Sequence, residues 1–179
     1  MLHEIVIAGF GGQGVMSMGQ LLAYAAMIES KHVSWLPSYG PEQRGGTANV
    51  SVIISDEPVG SPVITHPSAA IVLNKPSFER FEPLVIPGGV LIVNTSLIDS
   101  KTTRTDITVI EVKASELANE MGEPRIANSI ILGAFLEISK AVNQDSVLES
   151  LKKVLPERRH NLIPVNKDAL VKGAELVHI

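Results

Sequence analysis

The chain has 179 residues, of which 45% are hydrophobic and 19% are charged, as is typical of one globular domain. Its formal net charge of −4 argues against a general nucleic-acid binder or a protein that docks on acidic membranes, since both need a net basic face. It contains no cysteine, which excludes a disulfide, a thiol nucleophile and a cysteine-ligated iron–sulfur cluster.

Residues 5–28 contain no charged side chain, and this stretch is long enough to suggest a transmembrane helix. We reject that interpretation because the stretch opens with a strand-like run and continues into a glycine-rich segment that would break a helix. No lysine or arginine precedes it, so it also lacks the basic region of a signal peptide. We therefore expect a cytoplasmic protein, in which burial against a partner is one explanation for the missing charge.

Hydrophobic periodicity and turn residues predict strands that alternate with helices, followed by a run of helices. The predicted strands cover residues 3–8, 32–36, 47–55, 69–73, 90–94 and 107–112. Prolines and glycines predict a loop at 37–46 and a turn at 56–62. The predicted helices cover residues 13–29, 115–121, 128–142, 144–155 and 167–176, with a short amphipathic segment at 76–84.

This order predicts an α/β fold in a single domain over residues 1–179. We expect a Rossmann-like, three-layer architecture with helices on both faces of the sheet and a helical C-terminal third. The strand predicted at 47–55 alternates, with Val50, Val52 and Ile54 on one face, and so reads as half-exposed. A half-exposed strand favours a mixed sheet over a purely parallel one.

The segment 9–14 (GFGGQG) places three glycines at G-x-G-x-x-G spacing between a strand and a helix, where backbone N–H groups suit an anion. A dinucleotide site would need an acidic residue near 35–38, but that segment (WLPS) has none. A P-loop would end in Gly-Lys-Ser/Thr, and this loop lacks that ending. The helix end alone contributes about 0.3–2 kcal/mol, so tight binding needs charge from elsewhere. The alternative is that the glycines only let the helix pack closely on the sheet.

The helix predicted at 13–29 has no charged face. It carries an uncharged polar stripe and a stripe of small residues, which are Gln13, Ser17, Gln20 and Tyr24 and then Gly19, Ala23 and Ala26. Such a helix is buried all round or covered by another subunit. We favour a subunit contact over a fully internal helix, because a chain of this length can hardly cover it completely.

A second segment, 37–49 (PSYGPEQRGGTAN), combines rigid turns with few polar side chains, as recognition loops do. Its Arg44 is a natural bidentate partner for carboxylate or phosphate, although a solvated connecting loop would have the same composition. Together with 9–14, this segment resembles the gamma subunit of 2-oxoacid:ferredoxin oxidoreductases, with the 2-oxoglutarate branch the most similar. Further matches at 54–62, 74–77, 87–94 and 166–173 extend the resemblance over nearly the whole chain.

The resemblance implies a subunit with no catalytic residue and no metal of its own. In that family, thiamine diphosphate and [4Fe–4S] clusters sit on partner subunits, and the complex makes acyl-CoA and CO2 while it reduces ferredoxin. The implied partners are alpha, beta and ferredoxin-like delta subunits and ferredoxin, without nucleic acid or membrane. The thiamine subunits choose the 2-oxoacid, so the pyruvate, branched-chain and indolepyruvate branches stay open. In isolation, the chain would form homo-oligomers through its uncharged helix.

The resemblance also implies two sets of site residues. Coenzyme A would be contacted by Gly9, Gly11, Gly12, Gln13, Gly14 and Arg44. A subunit interface would consist of Tyr39, Gly40, Pro41, Glu42, Arg44, Gly45, Gly46, Thr47 and Asn49. Two alternatives remain: a free-standing Rossmann-type nucleotide-binding enzyme, disfavoured by the missing acid, and an interaction module that binds no ligand.

Two other features have simpler interpretations. The five histidines are scattered without metal-ligand spacing, so we interpret them as ordinary surface or core residues. The basic cluster consists of Lys152, Lys153, Arg158 and Arg159. We interpret it as helix-end and loop charges, with an acidic ferredoxin or a phosphate as the alternative partner.

Overall fold

The computed structural model describes residues 1–40 and 46–177, and its centre is a six-stranded sheet in the order β2-β3-β1-β4-β5-β6. Strand β3 pairs antiparallel with both β1 and β2, whereas β1, β4, β5 and β6 are parallel. The predicted mixed sheet is therefore confirmed. The strands are β1 (Leu2–Phe10), β2 (His32–Tyr39), β3 (Thr47–Ser55), β4 (Ala69–Val72), β5 (Val90–Asn94) and β6 (Thr108–Val112).

Helices cover both faces of the sheet, as predicted. The larger core lies under α1 and the C-terminal helices, while α2 covers a smaller core with Phe78 and Phe81. Strand β1 contributes side chains to both cores, because its alternate side chains point to opposite faces of the sheet and both sets are apolar. The helices are α1 (Val15–Ile28), α2 (Lys75–Phe81), α3 (Ala114–Glu120), α4 (Ala127–Ser139), α5 (Gln144–Val154) and α6 (Ile163–Glu175).

Helices α4 and α6 cross at very close range. A Cβ atom built on Gly133 would lie 2.0 Å from the carbonyl oxygen of Leu170, and one on Gly173 would lie 1.8 Å from that of Ile130. The same crossing contains a buried hydrogen bond, in which the Ser129 hydroxyl donates to Asn166 Oδ1 over 2.6 Å. The close crossing holds α4 against the sheet and so fixes where its N-terminus lies.

Several predicted boundaries differ from the structure, and two of the differences have a clear physical reason. Strand β2 continues through Pro37 to Tyr39, where a loop was predicted, and Pro37 lies opposite Val50. Proline is tolerated there because β2 is an edge strand, which has a hydrogen-bonding side without a partner strand. Helix α6 begins at Ile163, four residues before the predicted start, with proline in its first turn.

The prediction that β3 is half-exposed holds only for part of the strand. Asn49 and Ser51 are half-buried, but Ile53 is 3% exposed and Ser55 is buried as well. The opposite face, with Val50, is completely buried. Alternation of residue type thus indicated which face is inside, but not that the far end of the strand is covered on both faces.

Helix α1 packs against β2, β3 and α5 within the chain, so much of its surface is internal. Its Met27 is 60% exposed and Tyr24 is 38% exposed. The expected subunit contact is thereby limited to a narrow strip of this helix and stays a prediction. Among the described residues, no helix is both long and apolar enough to cross a membrane.

Candidate functional site

The glycine loop (residues 9–14) turns sharply between the end of β1 and the start of α1. Gly12 has φ +93° and Gly14 has φ +79°, values that side-chain-bearing residues rarely adopt. A Cβ atom on Gly12 would meet no described atom within 4 Å, so the loop presents bare backbone there. Gly9 is different: it is buried, and a Cβ atom would lie 3.0 Å from Leu73 Cβ. The close-packing explanation therefore accounts for Gly9 but not for Gly12.

Gln13 holds the loop from inside. Its Oε1 accepts a hydrogen bond of 2.6 Å from the backbone N–H of Phe10, and its Nε2 donates one of 3.1 Å to the carbonyl oxygen of Leu73. The predicted ligand contact Gln13 therefore has both polar atoms of its carboxamide engaged with the ends of β1 and β4.

Asn128, from the first turn of α4, holds the same loop from outside. Its Nδ2 donates a hydrogen bond of 3.0 Å to the backbone oxygen of Gln13. A Cβ atom on Gly14 would collide with this Nδ2, so a side chain there would displace the Asn128 amide, and the positive φ of Gly14 also favours glycine. No local sequence pattern points to Asn128 as a neighbour of the loop, because it lies 115 positions further along the chain.

A cleft of about 570 Å³, which we call the anion cleft, opens beside the loop. It lies at the carboxyl ends of β1, β4 and β5, and its lining includes Gly12, Gly14, Leu73, Asn94 and Asn128. From the end of β1 the chain runs through α1 to β2, whereas from the end of the neighbouring β4 it runs through α2 to β5, on the opposite side of the sheet. The carboxyl ends of β1 and β4 therefore form a topological switch point. Ligands of open α/β sheets bind at such points.

The electrostatics of the anion cleft favour negative charge. Among the described residues, no side chain caps the N-terminus of α1, the first turns of α1 and α4 contain no acid, and residues of both first turns line the cleft. Helix α4 continues directly from a short 3-10 helix (Pro124–Ile126), whose N-cap residue Glu123 accepts a hydrogen bond of 3.2 Å from the backbone N–H of Arg125. Each helix end carries a partial positive charge. Arg125 and Arg159 also line the cleft. No sequence pattern points to Arg125, and Arg159 belongs to the basic cluster that we interpret as solvated loop charge, with a phosphate as one alternative partner.

The positive charge of Arg125 is partly offset by a neighbouring carboxylate. Its Nε and Nη2 donate hydrogen bonds of 2.7 Å each to the two carboxylate oxygens of Glu123. This bidentate pairing lowers the pKa of the Glu123 carboxyl from 4.5 to about 2. The Glu123 carboxylate therefore stays ionised well into the acidic range, and its negative charge offsets part of the positive charge of Arg125.

A second cleft of about 360 Å³ lies on the other side of the glycine loop. Gly12, Gly14 and Ser17 line both clefts, so the loop is the wall between them. The other residues that line the second cleft are largely apolar or aromatic and include Phe10, Gly11, Val15, Met16, Tyr39, Thr47 and Ala48. Tyr39 is 63% exposed.

The structure brings the two predicted loops together. The backbone N–H of Gly11 donates a hydrogen bond of 2.9 Å to the oxygen of Gly46, and that of Gly40 donates one of 2.9 Å to the oxygen of Thr47. Thr47 and Asn49 belong to β3. The remaining predicted site residues, Pro41, Glu42, Arg44 and Gly45, lie outside the described residues.

The basic cluster divides into two parts. Lys152 and Lys153 lie in the last turn of α5, where cations complement the helix dipole, and Lys153 Nζ lies 5.8 Å from the Tyr24 ring centroid. Arg159 instead reaches the anion cleft. No group of three or more histidine, aspartate or glutamate side chains able to hold a metal ion occurs in the described parts of the chain.

Residues 4–176 match the pyruvate ferredoxin/flavodoxin oxidoreductase family. The chain belongs to this family. A gamma subunit of a keto/oxoacid ferredoxin oxidoreductase from Geobacter sulfurreducens has the same fold, with a TM-score of 0.80, 28% sequence identity and 97% of both chains covered. The expected gamma-subunit type is thus confirmed, together with the expected α/β architecture.

Members of the family with different names are similar to this chain. The ketoisovalerate oxidoreductase subunit VorA of Methanothermobacter marburgensis is 38% identical over 173 residues, which are 96% of this chain. The 2-oxoglutarate synthase subunit KorC of Methanocaldococcus jannaschii is 32% identical over 174 residues, with 93% and 92% of the two chains covered. The chain spans only 36% of the length of VorA. Family membership therefore leaves the 2-oxoacid open.

Proposed function

We propose that this chain is the gamma subunit of a multi-subunit 2-oxoacid:ferredoxin oxidoreductase that forms acyl-CoA, CO2 and reduced ferredoxin. The match to a gamma subunit and to KorC over more than nine-tenths of each chain supports this assignment. The chain has no cysteine to ligate an iron–sulfur cluster, so the clusters, like thiamine diphosphate, belong to partner subunits. Its own contribution is binding and not catalysis.

We further propose that the anion cleft receives the phosphate groups of coenzyme A. The observation that carries this proposal is the convergence of the uncapped N-terminus of α1, the first turn of α4, Arg125 and Arg159 on one cleft. A helix end is worth about 0.3–2 kcal/mol to an anion, and a charged hydrogen bond about 1.5–3 kcal/mol. Gly12 and Gly14, which line the cleft, would supply backbone contacts. Gly9 lies behind them, and the predicted contact Gly11 instead lines the second cleft, with its N–H bonded to the oxygen of Gly46. Arg44 stays a predicted further contact.

The subunit interface is proposed at the mouth of the second cleft. Tyr39, Gly40, Gly46, Thr47 and Asn49 are the described members of this set, and the large exposed surface of Tyr39 supports it. Pro41, Glu42, Arg44 and Gly45 complete the set as predictions from the resemblance. The partners would be the alpha, beta and delta subunits, with ferredoxin as the electron acceptor.

The test of the coenzyme A proposal is steady-state kinetics of the reconstituted complex. We expect Arg159→Ala to raise the apparent KM for coenzyme A about tenfold, which corresponds to 1.4 kcal/mol, with the KM for the 2-oxoacid unchanged. Arg125→Ala should act less strongly because Glu123 already offsets its charge. Arg80→Ala is the matched control: it removes the same charge from α2, on the other face of the sheet. Equal values for Arg159→Ala and Arg80→Ala would contradict the proposal.

The 2-oxoacid is proposed to be 2-oxoglutarate, with ketoisovalerate as the rival because VorA is the more similar in sequence of the two relatives. The ratio of kcat/KM for the two acids, measured on one complex, decides between them. In isolation, we expect the chain to self-associate through the exposed strip of α1 that contains Tyr24 and Met27. A monodisperse monomer in sedimentation would contradict that expectation.

A further inference from the structure

Four glycines within six residues make the glycine loop flexible in principle, because glycine has more backbone conformations to lose than any other residue. The loop nevertheless has to keep one shape to border both clefts at once. The hydrogen bond between Gly11 and Gly46 fixes one end, and the start of α1 fixes the other. The centre of the loop, from Gly12 to Gly14, needs further support.

Two amide side chains, which we call the amide pair (Gln13 and Asn128), supply that support. Gln13 ties the loop to the ends of β1 and β4, since it bonds the Phe10 N–H and the Leu73 oxygen. Asn128 bonds the backbone oxygen of Gln13 itself and occupies the space beside Gly14. The three hydrogen bonds are 2.6, 3.1 and 3.0 Å long. They link the loop to two strands and to α4.

We propose that the amide pair positions the glycine loop, so that Gln13 is a positioning residue instead of a direct contact of the ligand. Gln13 also lines the cleft, but both polar atoms of its carboxamide already hydrogen-bond within the protein, so the ligand would meet backbone at Gly12 and Gly14. This inference rests on the proposed function of the anion cleft. It adds Asn128, which couples the loop to the first turn of α4, a second element that lines the cleft.

The test combines hydrogen exchange of the full chain with kinetics of the complex. Gln13→Leu removes two hydrogen bonds of the loop, and Asn128→Ala removes the third. The matched controls are Gln20→Leu, in the helix α1 that follows the loop, and Asn119→Ala, at an exposed site on α3. We expect both variants of the amide pair to speed exchange of the amides of residues 11–14 at least tenfold, and the controls to leave it unchanged.

In the complex, the same variants should raise the apparent KM for coenzyme A at least fivefold, while kcat and the KM for the 2-oxoacid stay within twofold. A purely structural defect would not raise the KM for coenzyme A alone. The fold-increase of this KM in the double variant should be smaller than the product of the two single fold-increases, because both residues act on one loop. If Gln13→Leu does not fold, Asn128→Ala carries the test alone, since alanine is favourable within α4.

Three results would overturn the inference. Unchanged exchange of the loop amides would show that the amide pair does not hold the loop. Faster exchange with an unchanged KM for coenzyme A, in a complex that Arg159→Ala does impair, would show that the positioning has no bearing on the ligand. Coenzyme A kinetics indifferent to the amide pair and to Arg159→Ala alike would overturn the proposed function of the cleft together with this inference.

Discussion

The crossing of α4 and α6 makes a stability prediction that can be worked from distances. Real Cβ atoms essentially never approach another heavy atom closer than 3.0 Å, whereas a Cβ atom on Gly133 would lie 2.0 Å from the Leu170 oxygen. In Gly133→Ala the two helices must therefore separate by about 1 Å or more. The obstructing atom belongs to the backbone of a helix, so no side-chain rotation can relieve the contact.

The expected cost follows from two opposing terms. Overpacking of a dense interior costs about 1–3 kcal/mol, and a clash between two backbones belongs at the upper end of that range. Alanine stabilises a helix by about 1 kcal/mol relative to glycine, which offsets part of the cost. We expect Gly133→Ala to lose about 2 kcal/mol of unfolding free energy, equivalent to a fall in Tm of about 4–8 °C for a chain of this length.

The assay is thermal and urea unfolding followed by far-UV circular dichroism. Gly60→Ala is the matched control, because its Cβ atom would meet no described atom within 4 Å and its φ is not positive. It should be neutral or stabilise by up to about 1 kcal/mol, through the unfolded state. Gly133→Ala combined with Gly173→Ala should cost less than the two single losses together, since one separation relieves both contacts. Equal stability of Gly133→Ala and Gly60→Ala would refute the close crossing.

Four further predictions concern three single residues. The Glu123 carboxyl should titrate near pH 2 by NMR, since its pKa is about 2, and its ion pair with Arg125 should be lost only as the pH falls through that value. Glu123→Gln should free Arg125 and lower the KM for coenzyme A a few-fold at low salt. Burial, followed by nearby positive charges, lowers the pKa of His3 below 6.5. The contribution of His3 to stability should therefore be lost as the pH falls from 6.5 towards that lower value, measurable by urea unfolding against a His3→Gln control. Gly19→Ala should shift the fluorescence of Trp35, the single tryptophan, because its Cβ atom would lie 3.0 Å from the indole Nε1.

Much of the fold could be predicted because local patterns and tertiary burial agree. Strand β5 has the predicted bounds, and α5 differs by one residue at its end. The errors arise where tertiary context overrides a local rule. Pro37 reads as a strand breaker, but an edge strand tolerates it. The start of α6 was missed because apolar periodicity gives no signal for the turn around Pro164.

The candidate site could be predicted only in part. The glycine spacing indicated the loop, because backbone conformation is a local property that glycine reports directly. Asn128 reaches the loop, and Arg159 the cleft beside it, only after α4 and the segment beyond α5 have packed on the sheet. No local pattern marks Asn128, and the basic cluster that contains Arg159 has a simpler interpretation as solvated charge. The hydrogen bond between Gly11 and Gly46 likewise joins two segments that lie 35 positions apart in the chain, a contact that no local pattern indicates.

The sheet order also explains why this glycine loop differs from a dinucleotide-binding loop with the same spacing. In the Rossmann fold, the second strand lies directly beside the first, and an acid at its end reaches the ribose. Here β3 is inserted between β1 and β2, so the end of β2 lies two strand spacings, about 10 Å, from β1. The position that would bind a ribose is taken by Thr47 and Ala48 of β3, which line the second cleft. The missing acid is therefore a consequence of topology, and the loop is left to act with charge supplied by α4 and its surroundings.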